Sequence, residues 1–123
     1  MNPISVLLVD DQPHVLHLLT VLITADHRLV LCGTASDGQS GVAAARRHCP
    51  EAIVCDIQMP VMDGLQALPL LRRACPASVI VMYSSDVDVA RKGLQDGADA
   101  VFDKAHDPSL LLDHLAELCR RGR

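Results

Sequence analysis

The chain alternates short apolar runs with stretches of helical periodicity from one end to the other, and this alternation limits the folds open to it. Apolar runs this short are typical of strands that are buried on both faces of a sheet. The predicted strands cover residues 4–9, 29–34, 52–56, 78–83 and 99–103. Strands that alternate with helices form a parallel sheet covered by helices on both faces, with right-handed crossovers. The sequence therefore predicts an α/β fold.

The helices are predicted from apolar residues at helical spacing and from residues that favour helix ends. The first helix carries one apolar face, made of Val15, Leu18, Leu19, Leu22 and Ile23. Further helices are predicted over residues 38–48, over about ten residues ending at 74, over about 87–96, and from 108 onward. Ser36 or Asp37 caps the second helix, and Asp107 caps the last helix with Pro108 at its first position.

Length and composition favour a single domain over residues 1–123 with an aliphatic core. Hydrophobic residues make up 50% of the chain, and Tyr83 and Phe102 are its aromatic residues. The formal net charge of −4 argues against a nucleic acid or an anionic membrane surface as the main partner.

The five cysteines show no CxxC spacing, which indicates a reduced protein that uses cysteine as a small apolar residue. We find no apolar stretch long enough to span a membrane and no signal peptide in the sequence. We therefore expect a cytoplasmic protein without a membrane partner.

Polar residues stand where several of the predicted strands end. Asp10 and Asp11 follow the first strand, Asp56 ends the third, Ser84 follows the fourth, and Lys104 follows the fifth. In a parallel sheet these ends lie on one edge, and ligands bind there at the point where the strand order reverses. Clustered carboxylates repel one another, and a divalent cation holds them together in their ionised form.

These residue types suit phosphoryl transfer. A carboxylate such as Asp56 can attack phosphorus and form an acyl phosphate. Asp10 and Asp11 suit Mg²⁺, to which Asp56 and the main-chain oxygen of Gln58 could add ligands. Ser84 and Lys104 could each bind a phosphoryl oxygen. Each residue taken alone is more simply a helix cap, a turn residue or a solvated charge, so the hypothesis depends on their convergence.

The motifs together resemble the receiver domain of bacterial response regulators, over nearly the whole chain. They are Val9-Asp10-Asp11, Asp56-Ile57-Gln58-Met59-Pro60-Val61-Met62-Asp63-Gly64, Ser84, Gly97-Ala98-Asp99-Ala100 and Lys104. The resemblance implies a flavodoxin-like (βα)5 sandwich whose strand order is 2-1-3-4-5. It also implies that Asp56 accepts phosphate from a histidine kinase or phosphotransfer protein. Asp10 and Asp11 then hold Mg²⁺ with Asp56, Ser84 is the switch hydroxyl and Lys104 the family's lysine.

The resemblance further implies how the domain acts. Phosphorylation of Asp56 shifts the face built from the last two βα units, and this shift controls a downstream output protein or domain. A phosphorylation-dependent homodimer is a further expectation. Because receivers catalyse only their own phosphorylation and dephosphorylation, we expect that the chain is not an enzyme.

The chain departs from the family pattern near Lys104. Val101 stands where an aromatic switch residue is usual, and the neighbouring Phe102 must point to the opposite face of the sheet. The segment from Ser84 to Lys104 is about two residues shorter than usual, which also leaves Ser85 as an alternative switch hydroxyl. Ala105 replaces the usual proline, and we predict a trans Lys104–Ala105 bond because a cis bond costs about 3 kcal/mol without proline.

Three alternatives stay open at this point. The first is that the chain is the receiver portion of a larger DNA-binding regulator. The second is an interaction module that does not respond to phosphorylation, and the third is an aspartyl phosphatase. The last is disfavoured because Gln12 stands where such phosphatases carry a second aspartate. Coordinates that place Asp10, Asp11 and Asp56 beyond the reach of one ion would contradict the leading hypothesis.

Overall fold

The computed structural model describes residues 2–122, and within them five parallel strands alternate with helices in the order β2-β1-β3-β4-β5. The strands are β1 (Ile4–Val9), β2 (Leu29–Ala35), β3 (Ala52–Cys55), β4 (Val79–Ser84) and β5 (Ala100–Asp103). The helices are α1 (Pro13–Ala25), α2 (Gly38–His48), α3 (Gly64–Ala74), α4 (Val87–Ala90) and α5 (Pro108–Arg120). The predicted fold class and strand order are therefore confirmed.

The sheet separates two apolar cores because successive strand residues point to opposite faces. In β1, Leu7 and Val9 pack in one core while Val6 and Leu8 pack in the other. The first core is closed by α2, α3 and α4, through residues such as Val42, Ala45, Leu68, Leu71 and Ala90. The second core is closed by α1 and α5, through Leu19, Ile23, Leu111, Leu112 and Leu115. Burial on both faces explains why the strands read as continuous apolar runs.

The predicted helix ends are largely confirmed. Asp37, rather than Ser36, caps α2 by accepting a hydrogen bond from the main-chain nitrogen of Ser40 at 2.7 Å. Asp107 caps α5, and Pro108 is its first residue. Asp63 caps α3 in a reciprocal box with Gln66, an interaction that the sequence analysis did not single out. No helix within residues 2–122 is both long and apolar enough to cross a membrane.

The fourth helix differs from the prediction of a continuous helix over residues 87–96. The α-helix ends at Ala90 after one turn, and a 3₁₀ turn follows over Arg91–Leu94. A 3₁₀ helix rises about 2.0 Å per residue, against about 1.5 Å for an α-helix, so it lets a short segment cover a longer distance. Gly93 allows this segment to lie close to the core, because a Cβ there would stand 3.2 Å from side-chain atoms of Leu68 and Met82.

The structure confirms that Phe102 cannot take the place of Val101. Phe102 is buried on the α1/α5 side, where its ring centroid lies 6.1 Å from that of Tyr83, whereas Val101 packs against the opposite core. The peptide bond between Lys104 and Ala105 is trans, as predicted, since residues 2–122 contain no cis peptide bond.

Arg72, near the end of α3, holds the loop before β5 in place through hydrogen bonds and an ion pair. Its guanidinium donates hydrogen bonds to the main-chain oxygens of Gly97 at 2.6 Å and Ser78 at 2.6 Å. It also pairs with Asp99 at 2.9 Å, and Asp99 in turn accepts a hydrogen bond from the main-chain nitrogen of Ile80. This network fixes the short α4–β5 connection against β4.

The first residue of α3 comes very close to the end of β3. Gly64 donates a main-chain hydrogen bond to the Ile57 oxygen at 2.7 Å, and a Cβ built on Gly64 would stand 1.9 Å from the Asp56 oxygen. The atoms that a Cβ would meet are all main chain, so no side chain can move to relieve the clash. Only glycine allows α3 to begin here.

We expect Gly64→Ala to destabilise the domain by about 3 kcal/mol, because the added methyl must push α3 away from β3. The measurement is the urea midpoint of unfolding. Gly33→Ala is the matched control, since a Cβ there meets side-chain atoms at an ordinary 3.5 Å. Equal losses of stability in the two variants would contradict this account.

Candidate functional site

Parallel pairing of β1 with β3 places two carboxylates side by side. Val9 pairs with Cys55 at the carboxyl ends of these strands, so the residues that follow, Asp10 and Asp56, leave the sheet together. The main-chain nitrogen of Asp56 donates to the Val9 oxygen at 2.8 Å. Asp10 and Asp56 are only 3% and 6% exposed, so both carboxylates lie in a buried edge of the sheet.

A third carboxylate, from Asp11, completes a cluster. One carboxylate oxygen from each of Asp10, Asp11 and Asp56 lies within 4.8 Å of the other two, and Asp11 is the more exposed of the three. One cation can therefore contact all three residues, and the structure brings them together as the sequence predicted. Their role as metal ligands stays a prediction.

Lys104 extends from the end of β5 into this cluster. Its Nζ lies 2.8 Å from Asp10 Oδ2 and 3.3 Å from Asp56 Oδ2, and it donates to Gln12 Oε1 at 3.0 Å. The contact with Gln12 was not predicted, because no spacing or motif in the sequence indicates that an amide lies opposite this lysine. Gln12 therefore orients the ammonium between two carboxylates.

The two oxygens of Asp10 have different surroundings. Oδ1 accepts a hydrogen bond from the main-chain nitrogen of Gln12 at 3.0 Å. Oδ2 is buried and, among residues 2–122, has no hydrogen-bond partner of acceptable geometry, although Lys104 Nζ is close enough for an ion pair. A buried carboxylate oxygen needs a positive charge beside it, which the Lys104 ammonium supplies here and which a metal cation would also supply. This oxygen and the all-carboxylate donor set fit Mg²⁺.

Burial and charge shift the pKa values at this edge. Burial, together with the nearby Asp10 carboxylate, raises the pKa of Asp56 to about 6, and Lys104 opposes part of this rise. For Lys104, burial alone lowers the pKa, but the Asp10 and Asp56 carboxylates outweigh it and the net shift is upward. The lysine therefore stays charged, while Asp56 becomes a more basic carboxylate than usual.

Ser84 is the last residue of β4 and lies 4% exposed at the same edge, whereas Ser85 is exposed. Its main-chain oxygen accepts from the Lys104 nitrogen at 3.0 Å, which fixes the two chain segments together. Its Oγ accepts from the main-chain nitrogen of Asp86 at 3.0 Å. Gln58 is exposed in the loop between β3 and α3. The roles predicted for Ser84 and Gln58 stay predictions.

Comparison with known proteins gives a consistent result. The family model described as "Response regulator receiver domain" matches residues 6–116. The chain is 40% identical over 101 residues to protein-glutamate methylesterase/protein-glutamine glutaminase 1 of Rhodospirillum rubrum, covering 79% of this chain and 26% of that protein. It is 45% identical over 80 residues to the enzyme of that name from Maricaulis maris, covering 65% of this chain and 20% of that protein.

Solved structures agree. The response regulator domain of Thermotoga maritima CheB superposes with a TM-score of 0.83 at 27% identity, covering 98% of this chain and 96% of that one. A chain of the CheX-CheY-BeF3-Mg+2 complex from Borrelia burgdorferi gives a TM-score of 0.85 at 26% identity, covering 94% of this chain and 89% of that one.

These comparisons correct one expectation. The expectation that the chain is not an enzyme is wrong as it was stated, because the curated relatives are named as enzymes, methylesterases and glutaminases. The relatives are named as whole proteins, and this chain spans about a quarter of their length, 26% for the Rhodospirillum rubrum relative, so the receiver motifs carry no signal for that activity.

The raised pKa of Asp56 predicts how stability depends on pH. Since the pKa is about 6 in the folded chain and 3.8 in the reference state, the folded chain binds more protons between these values. The Asp56 contribution to the free energy of unfolding therefore falls as the pH rises through this window. Asp56→Asn should be more stable than the parent near neutral pH in metal-free buffer, by on the order of 1–3 kcal/mol.

Urea unfolding of both chains across this pH window is the measurement, and the stability difference should shrink as the pH falls through it. Asp96→Asn, which removes an exposed carboxylate, is the control and should show no such difference. A constant difference between Asp56→Asn and the parent at every pH would rule out the assigned pKa.

Proposed function

Because the chain belongs to the response regulator receiver domain family, we propose that Asp56 accepts a phosphoryl group from a histidine kinase or phosphotransfer protein. The observation that carries this proposal is the convergence of Asp10, Asp11 and Asp56 on one small volume with the Lys104 ammonium beside them. Phosphoryl transfer needs mainly positioning and neutralisation of charge, and this cluster offers both.

The two oxygens of Asp56 have separate tasks in this proposal. Oδ1 accepts a hydrogen bond from the main-chain nitrogen of Ile57 at 2.8 Å, which fixes the rotation of the carboxylate. Oδ2, 3.3 Å from Lys104 Nζ, is the oxygen that attacks phosphorus. The bond from phosphorus to the donor breaks as the bond to Oδ2 forms. The pKa of about 6 leaves the carboxylate mostly ionised near neutral pH and makes it a better nucleophile than an ordinary aspartate.

Asp10, Asp11 and Asp56, with the main-chain oxygen of Gln58, are the residues that would hold Mg²⁺. When bound, the ion offsets the repulsion between carboxylates and phosphoryl oxygens. Lys104 is held between Asp10 and Asp56 and becomes free to pair with a phosphoryl oxygen once Asp56 is phosphorylated. Gln12 keeps the ammonium at this position through its 3.0 Å hydrogen bond.

The signal would leave the site through Ser84 and Asp86. The Ser84 hydroxyl moves toward the phosphoryl group and gives up its contact with the Asp86 nitrogen. Asp86 also caps α4, since its carboxylate accepts from the Val89 nitrogen at 3.2 Å. Movement of Ser84 therefore alters the start of α4, and the face formed by α4, β5 and α5 changes with it. This route needs no aromatic side chain at position 101.

We infer that the output partner is a methylesterase or glutaminase domain, because the relatives carry that name over chains much longer than this one. This output is favoured over a DNA-binding one for the same reason. The net charge of −4 agrees with a domain that does not itself bind nucleic acid. Cytoplasmic location and a phosphorylation-dependent homodimer remain part of the proposal.

Labelling tests the acceptor. A small acyl phosphate with Mg²⁺ should label the chain, and Asp56→Asn should not be labelled, because its amide oxygen is a poor nucleophile. Omitting Mg²⁺ should also remove the label. Asp96→Asn, with the same change of charge at an exposed site, should be labelled like the parent. Persistent stoichiometric labelling of Asp56→Asn would count against the assignment.

A chimaera tests the output. We expect this chain, put in place of the receiver of the Rhodospirillum rubrum relative, to make hydrolysis of glutamate methyl esters depend on the acyl phosphate. A rise of about fivefold or more corresponds to ordinary coupling between sites. The chimaera with Asp56→Asn should not respond. If the chimaera is labelled at Asp56 but its activity does not change, the proposed output is wrong. The proposed role of Asp56 as phosphoryl acceptor would still stand.

A further inference from the structure

Helices α2 and α3 end in the same way, on a cysteine followed by proline. Cys49 is the C-terminal cap of α2 and precedes Pro50, and Cys75 is the C-terminal cap of α3 and precedes Pro76. The two helices pack side by side on one face of the sheet. Their C-terminal ends lie by the start of β3 and β4, at the edge opposite the aspartate cluster.

Both cysteines converge on one carbonyl oxygen. The main-chain nitrogen of Cys49 donates to the Ala45 oxygen at 2.9 Å, and the Cys75 thiol donates to the same oxygen at 3.4 Å. The Cys75 thiol thus lies against the last turn of α2, which ends at Cys49. Both also line one cavity of about 410 Å³ at this edge.

The two thiols differ in their access to solvent. Cys49 is exposed, whereas Cys75 is only 5% exposed. Cys49 also has a φ of 45°, in the left-handed region where a helix cap is usually glycine. A cysteine at this strained position is not explained by packing of the core, because its side chain lies at the surface.

We propose that Cys49 and Cys75 form a redox couple, in which a hydroperoxide converts the two thiols into an intramolecular disulfide. The Cys49 sulfur attacks the peroxide, the O–O bond breaks, and Cys49 becomes a sulfenic acid while the other oxygen leaves as water or alcohol. The Cys75 sulfur then attacks the Cys49 sulfur. The S–S bond forms, the S–O bond breaks, and the leaving hydroxide takes the Cys75 proton to give water. The peroxide is reduced by two electrons that come from the two sulfurs.

The surroundings of the other cysteines disfavour competing pairs. Burial raises the pKa of Cys75, so this thiol is not the one that meets the peroxide first. Cys119 lines the same cavity but packs against the core on the other face of the sheet. Cys55 is fully buried in β3, and burial holds its pKa far above the usual range. Cys32, in β2, is partly buried against the same core as Cys75, and burial raises its pKa as well.

This inference goes beyond the phospho-acceptor function and does not rest on it. A disulfide between Cys49 and Cys75 would join the ends of α2 and α3, at the opposite edge of the sheet from Asp56. Oxidation would therefore restrain how these two helices move relative to each other, and reduction by a thiol would reverse it.

Peptide mapping of the oxidised chain tests the couple. The reduced protein is treated with hydrogen peroxide, alkylated, and digested without reductant by trypsin and a glutamate-specific protease. Cleavage after Glu51 separates Cys49 from Cys55, so each of the five cysteines falls in its own peptide. We expect residues 48–51 joined to residues 74–91 as the dominant cross-linked product, two of the five thiols lost to alkylation, and full reversal by dithiothreitol.

The variants sharpen this test. Cys49→Ser changes a surface residue and should abolish the cross-link, while Cys119→Ala should retain it. If a variant fails to fold, the peptide map of the parent chain still tests the proposal by itself. Dominance of any other pair, or conversion of Cys49 to a sulfinic acid while Cys75 stays free for alkylation, would overturn the proposal.

Discussion

The parallel register that sets Val9 beside Cys55 holds two carboxylates next to each other at a buried edge of the sheet. The charges and pKa values at the site depend on how close these two carboxylates lie. Asp10 and Asp56 repel, and the repulsion raises the pKa of Asp56 in addition to the effect of burial. The Lys104 ammonium, brought from the end of β5, lies between them and offsets part of it. Without a bound cation, the remaining repulsion between the carboxylates destabilises the folded state. A cation bound between them would remove that repulsion.

The supporting structure is built to keep this arrangement in place. Gly64 lets α3 start against the Asp56 carbonyl, and the Asp63–Gln66 box fixes the first turn of that helix. The loop between β3 and α3 contains Val61 at a φ of 69°, an unfavourable conformation for a β-branched residue. Strain of this kind is common at functional sites, and here it lies in the loop that follows the proposed nucleophile.

The chain departs most from the family pattern in the region of α4 and β5, the proposed signalling face. A single α-helical turn and a 3₁₀ turn replace a regular fourth helix, and Val101 faces the core on that side. Sequence patterns did not predict this, because residues 87–96 satisfy helical spacing whether the hydrogen bonds close over three or four residues. The tertiary structure shows instead that Gly93, in the 3₁₀ turn, lies close to Leu68 and Met82. A Ser84–Asp86 route to α4 suits a face that lacks the usual aromatic residue.

The sequence by itself determined the order of strands and helices, most of their ends, and the identity of the residues at the acidic edge. It could do so because two-sided burial, helical spacing and capping are local or periodic properties, and because strand ends in a parallel sheet share an edge. Only the tertiary structure decided which oxygen of Asp10 pairs with Lys104, that Gln12 holds Lys104, and that the Cys49 main-chain nitrogen and the Cys75 thiol meet on the Ala45 carbonyl. These facts depend on contacts between segments far apart in the chain, for which no sequence spacing carries a signal.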